Sequence, residues 1–277
     1  MSLLGVFILS TDALLIRLAG LDNFTLIFYR GLFPAIVITL LLLFYYRRDF
    51  PAMFLAIGWA GLLNSVFYAS TSITFIYSIQ STSVANTLVI LSSAPIFAAI
   101  LSILILREYQ RPSTWLVIGL SFVSIFIIGL GSYGKSNLSG DLFALACAFT
   151  TACSAVLVRY KKNIDLVPSV ILGSILIGLY ALTQSPVLAV NSTQFAYVAI
   201  IGFVLVPFAF TVMSIAPRFA SSAEVQLVFL LEAILGPLWV WLVIQETPST
   251  NTLIGGAMLL ASVSWFAIRT LKFKVND

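Results

Sequence analysis

Apolar runs of about twenty residues follow one another along nearly the whole chain, separated by connections too short to fold on their own. Crossing roughly 30 Å of hydrocarbon takes about 20 mostly apolar residues, and cutting the runs where charges, Pro or Asn/Ser/Gly clusters coincide gives ten segments. They cover approximately 2–19, 24–46, 54–78, 82–106, 113–131, 140–159, 166–184, 195–216, 221–244 and 251–269. Lipid as solvent is also what the composition demands. Of 277 residues, 61% are hydrophobic and 9% charged, whereas soluble domains carry about 25% charged residues, too few here to cover a water-facing surface. Backbone groups in lipid must be bonded within their own segment, and runs of this length exceed barrel strands, so the expected class is an all-α integral membrane protein.

The first run begins almost at Met1 without the basic stretch and small-residue cleavage site of a secretory signal, and reads as a retained helix. Basic residues assign the orientation. With the N-terminus in the cytoplasm, Arg47, Arg48, Arg107, Arg111, Arg159, Lys161, Lys162, Arg218, Arg269, Lys272 and Lys274 fall on the cytoplasmic side. Arg17 and Lys135 fall opposite, and Arg30 lies inside the second run. The positive-inside rule then places both termini in the cytoplasm, in the cytoplasmic (inner) membrane.

Laid on itself with an offset of about 138 residues, the chain aligns Ser83 with Ser221, Ala85 with Ala223 and Glu108 with Glu246. The stretches "SVANTLVILSSAPIFAAILSILILRE" and "SSAEVQLVFLLEAILGPLWVWLVIQE" share a polar start, an apolar body broken by Pro95 or Pro237, and a terminal Glu. Ten spans divide into five and five, an odd number, so the second unit would thread the membrane in the opposite sense, as inverted repeats of carriers do. The loop-like "GSYGKSNLSG" separates the expected units, 1–131 and 140–277.

These features, with "FYRGLFPAIVITLLLL" around Arg30 and the paired stretches "SSAPIFAAILSILILRE" and "LLEAILGPLWVWLVIQE", resemble the EamA-type members of the drug/metabolite transporter superfamily. The resemblance covers nearly the whole chain. It implies a ten-helix carrier with a central cavity shared by two halves, moving amino acids, amines or similar metabolites, usually outward. This chain departs from the pattern by pairing Ala94 with Pro95 in the first motif and Glu232 with Ala233 in the second.

Ionisable groups inside a span cost about 2.5–3.5 kcal/mol at its centre and so face a partner or a cavity. Glu232 is the first candidate, either holding a substrate ammonium, taking up a proton, or bonding as a neutral acid to a neighbouring helix. Asp12, beside Ser10 and Thr11, is placed to pair with Arg30. Glu224 has the position of an acid in a helix's first turn. The third run, "NSVFYASTSITFIYS", sets Asn64, Tyr68, Thr71 and Phe75 on one helical face. With Asn86, Ser92, Ser93, Phe208, Phe210 and Gln226 they are expected to line a pocket for an amphipathic molecule, interhelical hydrogen bonding being the competing use. Small residues at Ala94, Ala98, Ser102 and at Ala144, Ala148, Ala152 read as packing stripes. Pro95, Pro207 and Pro237 are candidate bends.

No phosphate-binding loop occurs, so energy would come from an ion or proton gradient or from the substrate's own. Without histidine the chain lacks the commonest general base, and no Cys/His metal cluster is possible. The expected function is a secondary transporter, with neither cofactor, metal nor nucleic acid and with partners limited to a small-molecule substrate, membrane lipid and a candidate coupling proton. The competing classes are an intramembrane lipid-modifying enzyme and a non-transporting scaffold.

Overall fold

The computed structural model describes residues 9–107, 138–184, 188–215 and 230–274, with 115–116, 119–120, 123–124, 126–128 and 130. Regular structure among them is entirely helical. In chain order the helices are α1 (Asp12–Ala19), α2 (Asn23–Tyr46), α3 (Phe50–Ala56), α4 (Gly58–Ser81), α5 (Val84–Leu91), α6 (Ala94–Leu101), α7 (Leu138–Tyr160), α8 (Pro168–Leu182), α9 (Ser192–Ile200), α10 (Val206–Ile215), α11 (Leu230–Ile244) and α12 (Thr250–Lys274). A π turn at Ser102–Leu106 extends α6, and another at Ile201–Leu205 joins α9 to α10.

Five helical stretches among the described residues are long and apolar enough to cross a membrane: Asn23–Tyr46, Gly58–Ser81, Val84–Leu106, Leu138–Tyr160 and Ser192–Ala209. Pro168–Leu182 and Glu232–Ile244 are apolar but shorter. Large apolar side chains such as Leu40, Phe44, Tyr45 and Leu55 are exposed on the outside of the bundle, the surface that hydrocarbon covers.

Local sequence sets the helix limits. Gly20 closes α1 in the left-handed region, at φ 58°, where a side chain would be strained. Asp22 then caps α2, its carboxylate accepting from the backbone N–H of Phe24 and Thr25 at 3.0 Å each. Ser83 caps α5 in the same way through Asn86 N–H at 3.1 Å. Asn191 and Gln194 form a reciprocal capping box on α9.

Small residues set how closely the helices approach. A Cβ on Gly31 would lie 2.6 Å from the backbone nitrogen of Gly178, so α2 and α8 touch backbone to backbone. The two stripes of small residues are buried in full, and Ala98 of α6 meets Ala152 of α7. Helix α4 lies along both α7 and α8, with α5 and α6 crossing α7. The main core runs from Ile16 and Ile27 through Tyr68, Phe75 and Ile76 to Val170 and Leu205, joining residues before and after the 131–137 link in one body.

The expected bends have different fates. Pro95 follows a true interruption, the turn at Ser92–Ser93 between α5 and α6. Pro207 comes just after the π turn, whereas Pro237 sits inside a helix that continues through it.

Candidate functional site

Two helix interruptions face each other inside the bundle. Ser10 and Thr11 form a turn before α1, and Ser92 and Ser93 separate α5 from α6. Broken helices at membrane depth are tolerated where they line a cavity or are re-satisfied by neighbouring groups. Here the Ser92 hydroxyl donates to the Val89 carbonyl at 2.6 Å and that of Ser93 to the Ile90 carbonyl at 2.7 Å. Between the interruptions lies a cavity of about 80 Å³. Its wall takes Leu9 and Asp12 from the first segment, Arg30 from α2, Thr71, Ser72 and Phe75 from α4, and Leu88, Leu91, Ser92, Ala94 and Pro95 from α5 and α6. Cys147 and Thr151 of α7, Ala209 of α10 and Glu232 and Ala233 of α11 complete it.

One wall is a buried charge pair. Arg30 donates to both carboxylate oxygens of Asp12, at 2.8 and 2.7 Å, and its Nε donates to the Ser72 hydroxyl at 3.1 Å. The guanidinium carbon stands 5.3 Å from the centre of the Phe75 ring, a cation–π contact. This fork-to-fork geometry fixes Arg30 and cancels its charge. Glu232 differs. It is 8% exposed, lies in the cavity wall, and makes no hydrogen bond or ion pair with the described residues. With Asp12 and Arg30 neutralising each other, its carboxyl is the ionisable group of the wall left for a guest or a proton.

Of the other residues expected at the pocket, Thr71, Phe75 and Ser92 line it. The Thr71 hydroxyl shares a hydrogen bond with that of Thr150 at 2.8 Å. Asn64 is spent elsewhere, donating to the Ser169 hydroxyl and accepting from that of Ser154, both at 2.7 Å. Tyr68 rests on Gly173, where a Cβ would come within 2.4 Å of its ring, and its hydroxyl accepts from Ser174 at 3.3 Å. Asn86 joins a separate polar cluster with Asp141 and Thr252. Ser93 is turned onto its own helix, and Phe208 is 43% exposed on the outside of the bundle. These five are away from the cavity because each has a helix neighbour or lipid to meet. Glu224, Gln226 and the side chain of Phe210 lie outside the described residues.

Residues 1–130 match the model of the EamA-like transporter family. Over that stretch, a little under half of its length, the chain is similar to the EamA-like transporters. An uncharacterized transporter of Bacillus subtilis strain 168, YdfC, is 28% identical over 232 residues, which cover 81% of this chain and 74% of the relative. A solved crystal structure of a chain described only as a protein superposes with a TM-score of 0.69 at 15% identity, covering 95% of this chain and 94% of its own. That likeness is one of fold. The family match and the relative both point to a membrane transporter.

Sequence reasoning missed Ser72, Cys147 and Thr151 at the cavity. A signal existed for the last two: Cys147 and Thr151 are one turn apart on α7, beside the Ala144–Ala148–Ala152 stripe, so they share a face. Ser72 had none beyond adjacency to Thr71. Asp141 and Thr252 were also missed, because a lone acid near a run's start reads as an ordinary helix-terminal residue.

Proposed function

We propose that the chain is a secondary transporter of the cytoplasmic membrane that exports small amphipathic metabolites, amino acids or amines, by alternating access. Its two five-helix units, 1–131 and 140–277, are inverted with respect to each other, ten spans in all, with both termini cytoplasmic. The observation that carries this reading is the buried, unpaired carboxyl of Glu232 in a cavity otherwise lined by apolar groups and internally satisfied polar ones. Such a wall suits a guest with one positive group and an apolar body. The ammonium takes Glu232, while Leu9, Leu88, Leu91 and Pro95 cover the hydrocarbon. Interrupted helices supply elements that two states can rearrange around a fixed site. A proton competing for the same carboxyl supplies the coupling.

Counterflow into liposomes tests it. The purified protein accelerates exchange of at least one amino acid or organic amine, and Glu232→Gln lowers that exchange by roughly 100-fold, the size of effect expected when a buried charge loses its only counter-ion. A broad panel giving no protein-dependent flux overturns the carrier. Unchanged flux with unchanged pH dependence in Glu232→Gln removes that residue from the mechanism.

A further inference from the structure

About 9 Å along α5 from Ser92, at 1.5 Å of rise per residue, four oxygen-bearing side chains from separate segments meet. The Asp141 Oδ1 atom accepts from the Thr82 hydroxyl at 2.8 Å and from the Asn86 carboxamide at 3.2 Å. The Thr252 hydroxyl donates to Asn86 Oδ1. Asp141 is 6% exposed, and its Oδ2 atom is buried without any hydrogen-bond partner. An orphaned buried carboxylate oxygen carries a full desolvation cost.

Charge balance sharpens the point. The charged neighbours of this cluster are Arg17, which donates to the Thr82 carbonyl at 2.8 Å, and Glu246, which accepts from Val84 N–H at 2.8 Å. They stand 3.5 Å apart as an ion pair, and the Nε of Arg17 is itself buried without a hydrogen-bond partner. Asp141 itself makes no ion pair with the described residues.

We propose that Asp141, Thr82, Asn86 and Thr252 form a sodium-binding site, distinct from the cavity that holds Glu232. Hard cations take oxygen ligands, and this set contains neither nitrogen base nor thiolate, which disfavours the softer transition metals such as copper and zinc. One carboxylate with three neutral oxygens balances one positive charge, which selects a monovalent ion over a divalent one. A half-turn of the Asn86 carboxamide presents its oxygen to the ion and its nitrogen to Thr252, whose hydroxyl accepts as readily as it donates. The site ties α5, α7 and α12 together at one end of the bundle, and α5 carries Leu88 and Leu91 into the cavity wall.

The test needs no flux, so it stands or falls apart from the transporter reading. The purified chain is melted in sodium, potassium and choline chloride at equal ionic strength, and binding of radioactive sodium is measured directly. Sodium alone raises the melting temperature by several degrees, because a ligand that binds only the folded state stabilises it. Asp141→Asn removes both the shift and the binding, Thr252→Val weakens binding by about tenfold or more, and Glu232→Gln leaves the sodium response intact. Identical melting in the three salts with no sodium bound overturns the site, and that measurement needs no variant to fold. So does a sodium response that survives Asp141→Asn, or one that disappears in Glu232→Gln.

Discussion

The polar face of α4 divides into two halves with opposite uses. Asn64 and Tyr68, toward one end, are locked against α7 and α8 by Ser154, Ser169, Gly173 and Ser174. Thr71, Ser72 and Phe75, one to three turns further on, face the cavity and its charge pair. All five are similarly buried, so burial does not distinguish them. The difference lies in the neighbours. Where α8 offers hydroxyls and a glycine surface, the polar face is consumed as interhelical glue; beside the turns at Ser10–Thr11 and Ser92–Ser93, α7 still meets Thr71 through Thr150, yet a cavity is left. A stripe of polar residues in a membrane helix thus marks a cavity only over the length at which the facing helices are broken.

The largest effect should come from the charge pair of the cavity half. Asp12→Asn leaves the Arg30 guanidinium buried without a counter-ion, and removing one partner of a buried pair costs about 3–5 kcal/mol. The purified variant is expected to melt far below the parent and to lose flux. The double variant Asp12→Asn/Arg30→Met should recover much of the stability but none of the flux. Recovery of both would mean that the pair only holds helices together, and the division of the α4 face would lose its functional half.

The packing half should give a smaller, purely structural effect. Asn64→Val removes two interhelical hydrogen bonds, each worth about 0.6 kcal/mol on average in membrane helices, so a loss of about 1–2 kcal/mol is expected. Flux per folded molecule should stay unchanged. Thr71→Val is its mirror image. The Thr150 hydroxyl keeps its bonds to the Ala146 and Cys147 carbonyls at 3.0 and 3.1 Å, so stability should move by no more than about 0.6 kcal/mol, while the apparent KM for substrate rises severalfold. If Asn64→Val slows flux while Thr71→Val does not, the two halves have been assigned the wrong way round.

The helices and the pairing of Asp12 with Arg30 were legible in the sequence for one reason: lipid enforces long apolar runs and forces any charge within them to find a partner. Periodicity also showed that Asn64, Tyr68, Thr71 and Phe75 share a face. What it could not show is where along that face the neighbours stop, because this depends on a turn at Ser10–Thr11, in another segment, and on Ser92–Ser93 across the bundle. Asn86 failed for a related reason. Its position on α5 is right for the cavity helix, but it lies two turns from Ser92 and is drawn into hydrogen bonds with Asp141 and Thr252, residues that come 55 and 166 positions later. Glu232 was identifiable because an acid amid Leu230, Leu231, Ala233 and Ile234 has no local reason to be there.

The smallest effect is expected on α10, where Phe208 and Ala209 are adjacent but face opposite ways. Ala209 is 4% exposed and lines the cavity, while Phe208 is 43% exposed toward lipid. Truncating Phe208 to Ala removes contacts with hydrocarbon that lipid chains replace, so little free energy is at stake, and both melting temperature and flux should match the parent within error. Ala209→Phe, at the next position, places a ring in a cavity of about 80 Å³ and should block transport while leaving the helix intact. A Phe208→Ala variant that loses flux would show that this face of α10 meets substrate or another protein chain. The boundary between cavity and lipid on α10 would then have to be moved by one residue, a rotation of about 100° about the helix axis.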